Sequence, residues 1–393
     1  MFSSRTPADL STNRLSELLS AARAEGRPIL DLTESNPTRA GFAYPPDLLR
    51  PLGDAAGLTY APSPFGLVEA RAAVSDDYAR RGQRVPPQRI ALTASTSEAY
   101  SCLFKLLADA DDEVLVPRPS YPLFDHLARL EQVGVRGYDL EPDRGWAIDF
   151  DSLEAAITSR TRAILIVSPN NPTGTFVTAA ELERLAAIAE AHDLALIADE
   201  VFADYELEPG ARASAGCVTD RQEGLVFSLG GLSKSVGLPQ VKLAWIAVAG
   251  AARQVDRALE RLELICDTYL SVSTPVQRAA GALLAGGEVV REQIARRVSA
   301  NYQRLQKLAA GTSSRVLASQ GGWYAVLEMP GSESEETAVV ELLRDGVLAH
   351  PGYFFDFPRE AYLVVSLLPP EPRFADGIDR VLRRVARPVV SND

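Results

Sequence analysis

Between residues 90 and 199 the chain repeats one pattern: a short apolar run followed by a helix-forming stretch. Ile90-Ala-Leu-Thr precedes a helix starting near Ser97, and Glu113-Val-Leu-Val precedes one starting near Pro122. Ala163-Ile-Leu-Ile-Val precedes a helix over 179–192, and Leu194-Ala-Leu-Ile-Ala is the next apolar run. Strands that are apolar without alternation suit a sheet covered on both faces. The β-α-β order then implies a mainly parallel sheet flanked by helices. The helix over 179–192 carries its own start signal, because Thr178 followed by Glu181 is a capping box and Leu182, Leu185, Ala186 and Ala189 share one face.

Outside this stretch the rhythm changes. Residues 12–25 form an amphipathic helix through Leu15, Leu18, Leu19 and Ala22. After about residue 280 the pattern predicts a long helix over 288–309, a strand over 323–328, a helix near 335–344, a strand over 362–366 and a terminal helix over 374–386. The expected organisation is a large α/β domain over 46–279 and a smaller α+β domain over 280–393.

With 40 Lys and Arg against 52 Asp and Glu, the formal net charge is −12. Such a chain lacks the electrostatic footprint of a nucleic-acid or anionic-membrane binder, although a few amides and one cation still suffice for a single phosphate. Cys102, Cys217 and Cys266 are isolated in sequence and read as small hydrophobes in a reducing compartment. His126, His192 and His350 are scattered, so no metal cluster is expected. No apolar run reaches about 18 residues, and the expected location is the cytoplasm.

Three segments carry chemistry. Ser168-Pro-Asn-Asn-Pro-Thr-Gly and Asp199-Glu-Val-Phe each follow a strand, and Gly231-Leu-Ser-Lys-Ser lies further on. A buried lysine is neutral part of the time and can attack an aldehyde. Asp199, at a strand end, could simply close a turn, but that leaves its 35-residue spacing to Lys234 unexplained. Asn171 sits among turn formers, and a rigid turn is a good way to aim a side chain. Strand ends before Ser168 and before Asp199 place both groups on one sheet edge, where open α/β sheets bind ligands. Ser95-Thr-Ser-Glu opens a helix, which provides either an anion site or only a capping box from Ser95 to Glu98.

In this order and spacing the segments resemble class I/II aminotransferases, which are fold-type I enzymes dependent on pyridoxal 5'-phosphate (PLP). The resemblance spans almost the whole chain. It implies that the N-terminal 1–45 completes the smaller domain. It also implies ping-pong transfer of an amino group from a donor amino acid to a keto acid, through a Schiff base on Lys234 that doubles as proton shuttle. Asp199 would hold the pyridine nitrogen protonated, Asn171 would address the phenolic oxygen and Tyr121 would stack on the ring. Ser95, Thr96, Ser97, Ser233 and Lys242 would hold the phosphate, joined by Tyr60 from a second subunit of a homodimer.

The chain departs from the family pattern at four places. Phe202 replaces a tyrosine that donates to the phenolic oxygen. Lys242 replaces an arginine and keeps its charge without the bidentate fork. Ser35 stands for a glycine near the substrate. Val364 occupies the position of the arginine that clamps the substrate carboxylate, so another cation is expected there, Arg39 or Arg373, or else a substrate without that carboxylate. A PLP-dependent β-elimination lyase or decarboxylase, and a non-catalytic ligand-sensing relative, are the alternatives.

Overall fold

The computed structural model describes residues 2–330 and 334–385. Its centre is an eight-stranded sheet in the order Ile90–Thr93, Ala244–Gly250, Leu225–Gly231, Ala195–Asp199, Thr161–Val167, Glu113–Arg118, Gly134–Glu141, Ala147–Ile148. Neighbours from Leu225–Gly231 through Gly134–Glu141 pair in parallel, while Ala244–Gly250 runs antiparallel to both its neighbours and Ala147–Ile148 closes the far edge antiparallel. The strand Ala195–Asp199 is buried at every position, which is why its sequence shows no alternation.

Apolar residues fill both faces. One cluster packs Leu165, Ile197 and Phe227 against the helices Thr96–Leu107 and Ala252–Tyr269. Another packs Ile164, Leu196 and Tyr138 against the helix Ala179–Ala191 and reaches across to Val364. The capping box at Thr178 and Glu181 forms in both directions. Cys102 and Cys266, distant in sequence, are buried on two of these helices and line one hollow, and Cys217 is half-buried.

A second, four-stranded sheet runs Arg315–Val316, Tyr324–Glu328, Tyr362–Ser366, His350–Pro351. The N-terminal segment joins this part of the chain: Leu30–Asp31 pairs in parallel with Val347–Leu348. The helices Arg14–Ala24, Glu288–Ala309 and Glu335–Arg344 lie within two residues of their sequence expectation. The terminal helix begins at Glu371, three residues early, and is described to Val385; Ala386 lies outside the described residues. Among the described residues, no helix is long and apolar enough to cross a membrane, and no His, Cys, Asp and Glu group is placed to hold a metal.

Candidate active site

All the parallel strands end on one edge, and loops from four strand ends converge on a cleft of about 130 Å³. Thr96 follows the strand Ile90–Thr93, Tyr121 follows Glu113–Arg118, Asn171 follows Thr161–Val167, and Asp199 ends its own strand. Lys234 enters from the short helix after Leu225–Gly231, and Ser35, Phe202 and Tyr324 complete the wall.

Asp199 is 8% exposed. Burial pushes its carboxyl up to about 6, opposed by the Val201 N–H donating to Oδ1 at 3.1 Å, the Tyr100 hydroxyl donating to Oδ2 at 2.9 Å, and the charge of Lys234. Burial likewise brings the Lys234 ammonium down to about 8, with Asp199 opposing the shift. The two groups therefore meet near neutrality from opposite sides, a hallmark of sites built for proton movement. The backbone around the lysine is anchored by the Tyr205 hydroxyl, which donates to the Lys234 carbonyl at 2.5 Å. Its Nζ stands 4.7 Å from the Trp323 ring centroid and 5.4 Å from that of Phe202.

The turn that carries Asn171 is braced by its neighbour. Asn170 Nδ2 donates to the Pro119 carbonyl at 3.0 Å and to Thr173 Oγ1 at 2.9 Å. Gly174 has φ +75°, and a Cβ there would collide with Ser319 and Gly321. Its carbonyl accepts the N–H groups of Gln320 at 3.0 Å and Gly321 at 2.9 Å. Asn171 itself is 7% exposed, and its Oδ1 has no partner among the described residues. A buried carbonyl oxygen left unpaired beside a cleft is an acceptor waiting for a donor.

At the start of the helix Thr96–Leu107, Ser95 Oγ accepts the Glu98 N–H at 3.1 Å. The Glu98 carboxylate reaches past Ser95 to the Ala94 N–H. The cap therefore forms, and Thr96 lines the cleft. Tyr121 lines the cleft with its ring edge-on to Phe124.

Other expected residues stand outside the lining of the cleft. Ser233 is half-buried, Ser97 and Lys242 are exposed, and Tyr60 is 73% exposed; none of them lines the cleft wall of the single chain. Arg39 is exposed in a turn, and Arg373 points towards the Ile29 carbonyl at 3.5 Å, so neither lines the cleft. Val364 is 0% exposed, inside the core with Trp146, Phe357 and Tyr362. Among the described residues, Lys234 is the one cation lining the cleft.

The comparisons with known proteins agree with this geometry. The family described as Aminotransferase class I and II matches residues 27–371. The chain belongs to that family. Its members depend on PLP, so this chain is a PLP-dependent aminotransferase. Alanine aminotransferase of Mycobacterium tuberculosis is 27% identical over 371 residues, covering 91% of this chain and 86% of the relative. Glutamate-pyruvate aminotransferase AlaA of Escherichia coli is 31% identical over 275 residues, covering 69% and 67%. The fold of alanine aminotransferase from Pyrococcus furiosus superposes with a TM-score of 0.86 at 24% identity, covering 98% of this aminotransferase and 99% of that chain.

The residues present fit the cofactor. A neutralisable amine, a buried carboxylate, an amide with an unpaired oxygen and a helix N-terminus converge on one cleft. Tyr100, Tyr205, Trp323 and Tyr324 were not legible as site residues in the sequence. Tyr100 and Tyr205 lie just past the segments at Ser95 and Asp199 already singled out, whereas Trp323 and Tyr324 stand at the start of a strand of the other sheet and carry no local signal.

Proposed function

We propose that this aminotransferase holds PLP on Lys234 and moves protons with the same amine. The observation that carries the reading is the meeting in one cleft of Lys234, its amine lowered to about 8, with the buried Asp199 and the buried Asn171 side chain. PLP supplies an electron sink that stabilises negative charge at the donor Cα. Asp199 keeps a proton on the pyridine nitrogen, Asn171 donates to the phenolic oxygen, and Tyr121 covers one ring face. Thr96 and the helix N-terminus bind the phosphate, supported by Ser95, Ser97, Ser233 and Lys242. Neutral Lys234 takes the proton from the donor Cα and returns it to the cofactor side.

The exposed Tyr60 and Tyr269 line one hollow that also reaches Thr93 and Glu98. A second copy covering that hollow would bring Tyr60 to its partner's phosphate, so we read the active unit as a homodimer. We assign residues 46–279 to the large domain and 1–45 with 280–393 to the small one, and place the enzyme in the cytoplasm. The names of the two curated relatives suggest alanine and glutamate as donors, with pyruvate as an acceptor. Ser35, at the mouth of the cleft, would then face the substrate. Arg39, on the turn four residues on, is the cation to vary first as a carboxylate anchor.

The test is a half-reaction. The PLP-loaded enzyme is mixed with alanine, glutamate or a carboxylate-free amine, without keto acid. Conversion of the visible band to that of pyridoxamine phosphate by an amino acid supports the proposal. Ammonia or carbon dioxide release without that conversion would replace it with a lyase or decarboxylase.

A further inference from the structure

Trp323 lies outside every motif that carries the family resemblance, yet its ring is the aromatic surface nearest the reactive amine. We propose that Trp323 is a catalytic residue of this enzyme: its indole face, with the Phe202 ring beside it, receives the Lys234 ammonium whenever the lysine carries a proton, and so sets the proton affinity of the group that moves protons. This rests on the assignment of Lys234 above.

The geometry is that of a two-walled cation site. Nζ lies 4.7 Å from the Trp323 centroid and 5.4 Å from that of Phe202, both inside the roughly 6 Å range of cation–π attraction. The two rings meet at 66° with centroids 5.3 Å apart, forming a corner rather than a stack. Tyr205 packs edge-on against the indole, with ring centroids 5.2 Å apart. The backbone holds the corner in place: the Leu367 N–H donates to the Trp323 carbonyl and the Gly322 N–H to the Tyr205 carbonyl, each at 2.7 Å. Gln320 and Gly321 tie the same segment to the turn that carries Asn171.

Packing alone is a poor reason for an indole here. Trp323 is 0% exposed, and its Nε1–H has no hydrogen-bond partner among the described residues. A buried unpaired donor is costly, and a phenylalanine would fill much of the same space without one. What the indole adds is the side chain that binds cations best through its face.

The charges around Lys234 leave the rings a clear role. Among the described residues, Asp199 is the one carboxylate lining the cleft, and Tyr100 donates to it from the neighbouring helix. Glu200, next in the chain, is turned to accept from the Ser228 hydroxyl at 2.5 Å and is balanced by Arg81. Glu34 lies beyond Ser35 at the cleft mouth, and Tyr121 and Tyr324 present phenols that burial holds neutral well above physiological pH. At position 202 the hydroxyl is missing altogether. Once Asp199 is engaged by a protonated pyridine nitrogen, the two ring faces are what remains to stabilise the free ammonium.

Fluorination withdraws electron density from an indole face with little change of shape, so it tests the idea without opening a cavity. The full-length enzyme is prepared with ordinary, mono-, di- and tetrafluorinated tryptophan and stripped of cofactor. The pKa of Lys234 is then read from the pH dependence of its acylation by mass spectrometry. The expected result is a stepwise fall, by about one unit over the series. In a Trp323→Phe background, where fluorine reaches only Trp146 and Trp245, the pKa should not respond. A constant pKa across the first series, or an equal fall in the second, would overturn the proposal. The readout needs neither cofactor nor turnover, so it is independent of the half-reaction that tests the assignment of Lys234.

Discussion

Tyr100 donates its hydroxyl to Oδ2 of Asp199 at 2.9 Å, from the second turn of the helix whose first residue faces the cleft. On the proposed cofactor placement, one helix would serve both ends of PLP, with its N-terminus at the phosphate and Tyr100 behind the carboxylate that meets the ring nitrogen. Replacing Tyr100 with Phe leaves Oδ2 without its donor inside a buried site. Hydrogen bonds to charged groups contribute about 1.5–3 kcal/mol. Tyr100→Phe should therefore raise the Asp199 pKa further and weaken PLP binding by roughly ten- to a hundredfold. Fluorescence titration of the stripped enzyme checks this. An unchanged Kd would mean that the Val201 N–H suffices.

Asp199 also sets a pH dependence of stability. Its folded pKa is raised, from 3.8 to about 6, so the folded state binds the proton more tightly than the unfolded chain. The contribution is fully present below pH 3.8 and is lost as pH rises through about 6. In the cofactor-free enzyme at pH 7, ionised Asp199 costs roughly 3 kcal/mol. Asp199→Asn should be more stable than the parent at pH 7 and lose that advantage towards pH 4, as read by thermal melts across the range.

Lys234 gives the opposite window. Its amine is lowered to about 8, so below that pH the cofactor-free enzyme holds mostly ammonium, which cannot attack an aldehyde. The rate at which the stripped enzyme recaptures PLP should rise about tenfold per pH unit below 8 and level off above it. Stopped-flow absorbance at limiting PLP measures this, and a plateau reached already at pH 7 would mean that the amine is more acidic than its burial accounts for.

Phe202 is buried between Trp323, at 5.3 Å, and Tyr324, at 6.3 Å, and it lines the cleft without a hydroxyl. On the proposed cofactor placement, Phe202→Tyr would restore a donor to the phenolic oxygen and stabilise its anion. The pH midpoint of the visible band should then fall by about a unit, the equivalent of one ordinary hydrogen bond. A spectral titration of the loaded enzyme decides it.

The parts of this protein legible in its sequence are those governed by local pattern. Unbroken apolar strands, the Thr178–Glu181 capping box and the turn around Gly174 are fixed by residues near one another, and they carry Asn171 and Asp199 to the right edge. Lys234 was legible through its family motif. The antiparallel strand Ala244–Gly250 was not, because nothing in an apolar run states its direction. Tyr100 reads as an apolar helix position, and only the packing of that helix on the sheet aims its hydroxyl at Asp199. Trp323 reads as a core residue, and it is one; its nearness to Lys234 arises from the docking of the second sheet, about ninety residues away in sequence.

Val364 is where motif and packing speak together. The family resemblance puts a carboxylate-binding arginine at this position, and the strand Tyr362–Ser366 is present with Val364 opposite Val326. The surroundings are not those of a clamp. Val364 is 0% exposed, and Trp146, Phe357 and Tyr362 pack into one aromatic group in the same core, with ring centroids 4.6–6.1 Å apart. An arginine introduced here would carry an unpaired guanidinium into that core. Removing one partner of a buried ion pair costs about 3–5 kcal/mol, and a cation with no partner should cost at least as much. Val364→Arg is therefore expected to destabilise the fold by several kcal/mol, lowering Tm, without improving the KM for amino-acid donors. A folded variant of unchanged Tm and lower donor KM would instead show that the core yields readily to an arginine clamp at this strand.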